Sequence, residues 1–267
     1  MLICIDVGNS NINFGLFKDD ELLCTFKFSC LEITSTKKMY DIFLLALNEY
    51  GLLLYDMEFA MISCANERIE NILKEFCKKI NIECYFIDEN SPLGLDVKMN
   101  DKIGPDLFVE CFEAVKKYPL PLVIVDLGTT SNIILVNENK EIEGGVLFAG
   151  LLAAYKNTNL NNTSFLRFSP ISDPNVIGKN TSESLQSGIL YGSISALNNM
   201  ISMIREEKQY EYMNVIMSGG LAQYAYQYID GATYVENLLL EGLKDVYYDI
   251  GKKLYLRTKD NRGISND

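Results

Sequence analysis

Asp6 and Asp126 stand in two copies of one pattern. The first copy reads Ile5-Asp6-Val7-Gly8-Asn9-Ser10-Asn11-Ile12-Asn13-Phe14-Gly15-Leu16-Phe17, and the second reads Val125-Asp126-Leu127-Gly128-Thr129-Thr130-Ser131-Asn132-Ile133-Ile134-Leu135-Val136. In each, an apolar run leads into Asp-x-Gly, a small polar pair and a second apolar run. This is a strand–turn–strand unit with one carboxylate and several backbone N–H groups at a tight turn. Gly8 permits backbone conformations that other residues resist, so such a turn can press its N–H groups against an anion. A carboxylate there repels phosphate unless a cation, Mg²⁺ with its waters, lies between. Either turn alone reads equally well as an ordinary hairpin, since Gly-Asn is a common turn pair. The duplication favours two facing turns that form a cleft for a metal–phosphate group, and hence a nucleotide-dependent enzyme.

Three further segments could contribute chemistry. Ile103-Gly104-Pro105-Asp106-Leu107 places a carboxylate at the start of a helix. Asp106 is there either an N-cap or a general base that takes a proton from an attacking hydroxyl. The chain contains no histidine, so triads, imidazole bases and histidine–zinc sites are excluded and acid–base work falls to other groups. Ser218-Gly219-Gly220-Leu221 follows an apolar run and opens a helix; it could receive adenine or ribose against bare backbone, or serve only close strand–helix packing. Gly178-Lys179-Asn180-Thr181 precedes a long helix, for which Thr181 is the expected N-cap.

The elements that must position these residues follow from periodicity. Strands are expected over 2–7, 12–17 and 22–28, forming an antiparallel meander, then at 59–63 and 85–87. Helical spacing marks 38–50, 66–79 and 106–117. The order then restarts with strands at 122–125 and 133–136 and a third one led by Ile142-Glu143-Gly144-Gly145. Helices at roughly 182–206, 221–228 and 239–256 and a strand at 214–217 complete the reading. Two similar halves imply two α/β domains, residues 1–118 and 119–267, with the boundary near Tyr118-Pro119-Leu120-Pro121.

Composition narrows the function. With 267 residues and 48% hydrophobic content the chain can bury a large core. A net charge of −12 without clustered Lys or Arg argues against nucleic acid as a partner. No apolar run reaches a membrane span, and the first residues lack a basic leader, so a cytoplasmic protein is expected. The seven cysteines are odd in number and show no CxxC spacing, which reads as reduced structural thiols.

Taken in order, Asp6-Val7-Gly8-Asn9-Ser10-Asn11, Gly104-Pro105-Asp106, Asp126-Leu127-Gly128-Thr129, Gly144-Gly145 to Gly150, Gly178-Lys179-Asn180-Thr181 with Ser184-Leu185-Gln186-Ser187-Gly188, and Ser218-Gly219-Gly220-Leu221 resemble type III pantothenate kinase over nearly the whole chain. That family belongs to the acetate kinase, sugar kinase, Hsp70 and actin superfamily. The resemblance implies two ribonuclease-H-like domains around a central cleft, a homodimer, and transfer of the γ-phosphoryl of ATP to the primary hydroxyl of pantothenate or a related small acid. It implies that the turn formed by Asp6, Val7, Gly8, Asn9, Ser10 and Asn11 binds ATP phosphates, with Mg²⁺ held through water by Asp6, and that Thr129 touches ATP. It implies Asp106 as catalytic base, a monovalent cation (K⁺ or NH₄⁺) at Asp126, and acceptor contacts from Gly104, Pro105, Asp106, Leu107 and Thr181.

The departures lie mainly on the acceptor side. Leu107 stands where the family has Arg, and Asp96-Val97-Lys98-Met99 where it often has Tyr. Ala149-Gly150 replaces Pro-Gly, and Thr163-Ser164-Phe165-Leu166-Arg167 replaces Ala-x-Leu-Pro. Weak pantothenate use is therefore expected unless Lys98, Lys102 or Lys156 restores the missing charge. The alternative to a working kinase is a degenerate nucleotide-binding or regulatory relative.

Overall fold

A computed structural model of the chain describes residues 1–128, 130–149 and 174–251. The chain divides into two compact units. The first comprises Met1–Leu95, Asn100–Glu113 and the chain from Leu238 onward; the second comprises Asp96–Met99 and Ala114–Asn237.

The first unit is built on strands β1 (Leu2–Val7), β2 (Asn11–Lys18), β3 (Glu21–Ser29), β4 (Phe59–Cys64) and β5 (Glu83–Phe86), in the order β3-β2-β1-β4-β5. The first three strands form the antiparallel meander expected from the sequence, and β4 and β5 join in parallel. Parallel neighbours need a crossover, which helices α1 (Thr36–Glu49) and α2 (Glu67–Lys79) supply. Ser35 caps α1 by accepting from the Lys38 N–H, and Asn66 caps α2 by accepting from the Ile69 N–H. Both helices bury an apolar stripe against one face of the sheet. Met39, Phe43, Leu73 and Phe76 meet Ile3, Ile5, Ile12 and Phe14 in one core. Phe14, Phe26 and Phe43 lie with ring centroids 5.0–5.8 Å apart, within the range of favourable aromatic pairs.

The second unit repeats the plan. Its strands are β6 (Asp96–Val97), β7 (Leu122–Leu127), β8 (Thr130–Val136), β9 (Glu141–Ala149), β10 (Asn214–Ser218) and β11 (Ala232–Tyr234). The order β11-β10-β7-β8-β9 mirrors that of the first sheet, and β6 adds to the outer edge of β9. The long helix α4 (Thr181–Lys208) lays Leu190, Ile194, Leu197 and Ile201 on Val123, Val125, Ile133 and Leu135. α3 (Pro105–Lys117) leads from the first unit to the second, and α5 (Ala222–Ala225) is a single turn. The expected helix over 221–228 is thus α5 followed by a 3₁₀ turn at Tyr226–Tyr228. β6 and β11 were not anticipated, being too short for a periodic signal.

The C-terminal helix departs from the expected division at 118/119. α6 (Leu238–Val246) packs on β1, β2 and β4 of the first unit, on the face opposite α1 and α2. A wider turn, Tyr247–Gly251, follows it. Sequence adjacency cannot reveal this, because the apolar face of a helix is satisfied by any complementary surface. Where α6 meets α3, Gly242 leaves no room for a side chain: a Cβ would lie 2.7 Å from Val109 Cγ1 and 3.0 Å from the Val109 carbonyl oxygen. Helix propensity alone favours Gly242→Ala by about 1 kcal/mol. Overpacking against fixed backbone costs about 1–3 kcal/mol. Packing is expected to prevail, lowering the stability read by urea unfolding by about 1 kcal/mol; a stabilised variant would show that α6 docks more loosely.

Candidate functional site

The alternation of β1 sets the first half of the site. Ile3, Ile5 and Val7 point into the core under α1 and α2, so Leu2, Cys4 and Asp6 point to the α6 face. At the carboxyl end of that face the strand register aligns four polar residues. Ser63 on β4 neighbours Asp6, Asp6 neighbours Asn13 on β2, and Asn13 neighbours Lys27 on β3. Asn13 Nδ2 donates to Asp6 Oδ2 at 2.8 Å. Asp6 Oδ1 and Ser63 Oγ are buried with no hydrogen-bond partner among the described residues. Ligands of parallel-stranded α/β sheets bind outside the carboxyl ends of the strands, where this row ends.

The turn beyond Asp6 is closed by the Gly8 N–H donating to the Asn11 carbonyl at 3.0 Å. Gly8 does not take the left-handed conformation expected for it, and a Cβ there would meet nothing nearer than the Asn11 oxygen at 3.9 Å. The protein itself therefore gives Gly8 no steric reason to be glycine, whereas a ligand pressed on bare backbone would. Val7 can take part through its backbone only, since its side chain is buried and its carbonyl accepts from the Ala65 N–H. Asn9 is exposed, and Ser10 and Asn11 are half-buried beside it.

Asp106 belongs to the same unit. It is the second residue of α3, after Pro105 at the first helical position, where a missing N–H costs nothing. The Phe108 N–H donates to the Gly104 carbonyl, so the capping position is Gly104 and the N-cap reading of Asp106 is corrected. Its Oδ1 instead accepts from the Leu107 N–H at 2.9 Å, and a Cβ on Gly104 would collide with that oxygen. Leu107 is half-buried.

Burial pushes the Asp6 carboxyl up to about 7; the Asn13 hydrogen bond opposes this, the charge of Asp106 adds to it, and Lys27 counters. Burial thus favours the neutral form of Asp6.

The second unit repeats the arrangement. Ser218 on β10 neighbours Asp126 on β7, and Asp126 neighbours Asn132 on β8. This turn is one residue shorter, closed by the Gly128 N–H donating to the Thr130 carbonyl at 3.1 Å. Thr129 lies outside the described residues, as do Gly150, Lys156 and residues 163–167. Gly219 has a positive φ of 91° and packs so closely on Asp126 that a Cβ would strike its carboxylate and lie 2.8 Å from the Leu127 backbone. The double glycine, ambiguous in sequence, thus forms the wall of the Asp126 turn.

At the start of α4 the cap is Asn180, not Thr181: its Oδ1 accepts from the Glu183 N–H at 3.0 Å, and Glu183 returns the contact to the Lys179 N–H at 2.7 Å. Asparagine is the better cap. Thr181 becomes the exposed first residue of the helix. Of the lysines considered for the acceptor, Lys98 is engaged by Asp96 at 2.5 Å and Glu141 at 3.3 Å, and Lys102 approaches Glu89 at 3.6 Å. Among the described residues no cluster of three or more His, Cys, Asp or Glu side chains could cage a metal, and no helix is long and apolar enough to cross a membrane. All seven cysteines are unpaired thiols.

The raised Asp6 carboxyl makes stability depend on pH. Unfolded, it ionises near 3.8; folded, it keeps its proton to about 7. Between these values the native state binds more protons, so stability falls as pH rises through that window. For the metal-free, nucleotide-free protein, Asp6→Asn is expected to abolish this slope and to exceed wild type at pH 8 by on the order of 2–4 kcal/mol. Urea unfolding from pH 4 to 8 tests it; parallel profiles for the two proteins would refute the assignment.

Residues 2–203 match the family model for type III pantothenate kinase. The type III pantothenate kinase of Finegoldia magna is 30% identical over 259 residues, which cover 94% of this chain and 98% of that one. Among solved structures, a Campylobacter jejuni protein assigned to the Baf family of transcriptional activators superposes with a TM-score of 0.60 at 20% identity, covering 94% of this chain and 99% of that one. A Sinorhizobium meliloti protein assigned as a 2-dehydro-3-deoxygalactonokinase gives 0.58 at 12% identity, covering 94% and 97%. These structural likenesses establish the fold, a duplicated ribonuclease-H-like α/β architecture. By the match of its sequence, the chain belongs to the type III pantothenate kinase family.

Proposed function

We propose that this chain transfers the γ-phosphoryl of ATP to the primary hydroxyl of pantothenate, giving 4′-phosphopantothenate, the first step toward coenzyme A. The observation that carries the reading is the pairing of two acidic groups in one unit, in a chain that matches the family over most of its length: the charge of Asp106 is felt by the buried Asp6. Its intact carboxylates favour a working kinase over the degenerate relative.

In this reading the backbone from Asp6 to Asn11 receives ATP phosphates, and Thr129 touches the nucleotide. The orphaned Asp6 Oδ1 fits a hydrated Mg²⁺. Asp6 would hold it through water rather than by direct ligation. Bound there, it would neutralise charge on the phosphates. Asp126 would hold K⁺ or NH₄⁺. Asp106, its Oδ1 tied to the Leu107 N–H, would take the hydroxyl proton on its other oxygen. The new O–P bond forms as the bond between the β,γ-bridging oxygen and the γ-phosphorus breaks, and ADP leaves. Catalysis is then mostly positioning and electrostatics, as phosphoryl transfer requires. Gly104, Pro105, Leu107 and Thr181 would border the acceptor. The expected homodimer and cytoplasmic location belong to the same proposal.

A coupled assay of ADP release with and without pantothenate, in K⁺, tests the reaction. Asp106→Asn is expected to lower turnover on the order of 10²–10⁴-fold with ATP affinity little changed. Pantothenate-independent ADP release, or a variant with full turnover, would defeat this assignment.

Leu107 makes a separate prediction. A carboxylate leaving water needs a charged or multiply hydrogen-bonded partner. Leucine offers neither, and the charges of Lys98 and Lys102 already face carboxylates. A charge-assisted hydrogen bond contributes about 1.5–3 kcal/mol. Leu107→Arg should therefore lower KM for pantothenate roughly ten- to hundredfold and leave KM for ATP alone. An unchanged pantothenate KM would mean that the carboxylate is held elsewhere.

A further inference from the structure

The mechanism above leaves Ser63 unused. It lies near the end of β4, fully buried, and its hydroxyl has no hydrogen-bond partner among the described residues. Buried hydroxyls without partners are few in native proteins, and each marks a place where something else completes the bonding. Its register neighbour is Asp6. Register partners on parallel strands project to one face, so the Ser63 hydroxyl and the Asp6 carboxylate emerge side by side, roughly 4.8 Å apart at the backbone. Asp6 Oδ2 is occupied by Asn13, and Asp6 Oδ1 is the second orphan. A water bonded to both oxygens would complete the two. The same Ser–Asp–Asn sequence of neighbours recurs at Ser218, Asp126 and Asn132, where Ser218 is also buried. Two sheets whose turns differ in length keep the serine in place beside the carboxylate. Filling a core does not require that coincidence.

We propose that Ser63 is a positioning residue of the phosphate site: its hydroxyl and Asp6 Oδ1 together hold one water of the hydrated divalent cation. Asn13 fixes one oxygen of the carboxylate, and Ser63, through the water, fixes the direction of the other. The inference rests on the reading of this site as a Mg·ATP site.

Ser63→Ala separates this from a merely structural role, because the two predict opposite signs. Without ligand, deleting an unsatisfied hydroxyl should leave the melting temperature unchanged or raise it by about 2 °C. With ligand, the gain in ATP affinity that Mg²⁺ confers should shrink about three- to tenfold, the value of one hydrogen bond, while ATP affinity in EDTA stays at wild type. Titration calorimetry of both proteins, with Mg²⁺ and with EDTA, reads this directly. A variant whose Mg²⁺ enhancement equals that of wild type overturns the inference alone. So does one that loses several degrees of melting temperature and binds ATP equally poorly in both conditions. A wild-type protein whose ATP binding does not respond to Mg²⁺ overturns the underlying reading and this inference with it.

Discussion

A carboxylate drawn partly out of water at the end of a strand is the constraint on which each unit is organised. Taking an ionised carboxylate out of water costs several kcal/mol unless charge or hydrogen bonds compensate. In the first unit only one oxygen of Asp6 is compensated, by Asn13. The surroundings accept that cost instead of removing it. α6 closes the lower part of the face on which Asp6 stands, and the α1–α2 core keeps β1 rigid beneath it. In the second unit Gly219 gives up its side chain to leave the Asp126 carboxylate its space. A protein selected for stability alone would carry Asn or Leu at such positions.

The two turns share their plan but not their dimensions. The Asp6 turn closes from Gly8 to Asn11, the Asp126 turn from Gly128 to Thr130. One residue more gives the first turn an exposed Asn9 and further backbone donors above its carboxylate. The shorter turn keeps Thr130 close beneath Gly128, with the Ser218-Gly219-Gly220 wall against it. Duplication supplied a common frame, and loop length then made the copies unlike.

Much of this frame was legible in the residues. Apolar alternation located the meander strands, and helical spacing located α1, α2 and α4, because burying one face imposes a period that survives any tertiary arrangement. The repeated Asp-x-Gly turns were visible for the same local reason. What could not be read depends on pairing between distant segments. Ser63, Asn13 and Lys27 become neighbours of Asp6 only through strand register, and nothing in their own surroundings marks them. The meaning of Gly219 needed the position of Asp126. The exchange of Thr181 for Asn180 as cap, and of Asp106 for Gly104, were shifts of one and two residues within correctly placed helix starts. Such shifts matter here, since each relieves the side chain of Asp106 or Thr181 of that capping bond.

The return of α6 to the first unit also orders events during synthesis. Strands β1, β2 and β4 emerge from the ribosome early, and α1 and α2 can cover one of their faces at once. The opposite face holds Leu2, Cys4, Phe17 and Met61, all buried in the finished protein, and its cover is encoded from Leu238 onward. At about 5–20 residues per second, that face waits on the order of ten seconds or more while the whole second unit is made. The nascent chain therefore carries an unfinished apolar surface until α6 is made. α6 then covers this face and ends the interval in which it is open to chaperones and to misassociation.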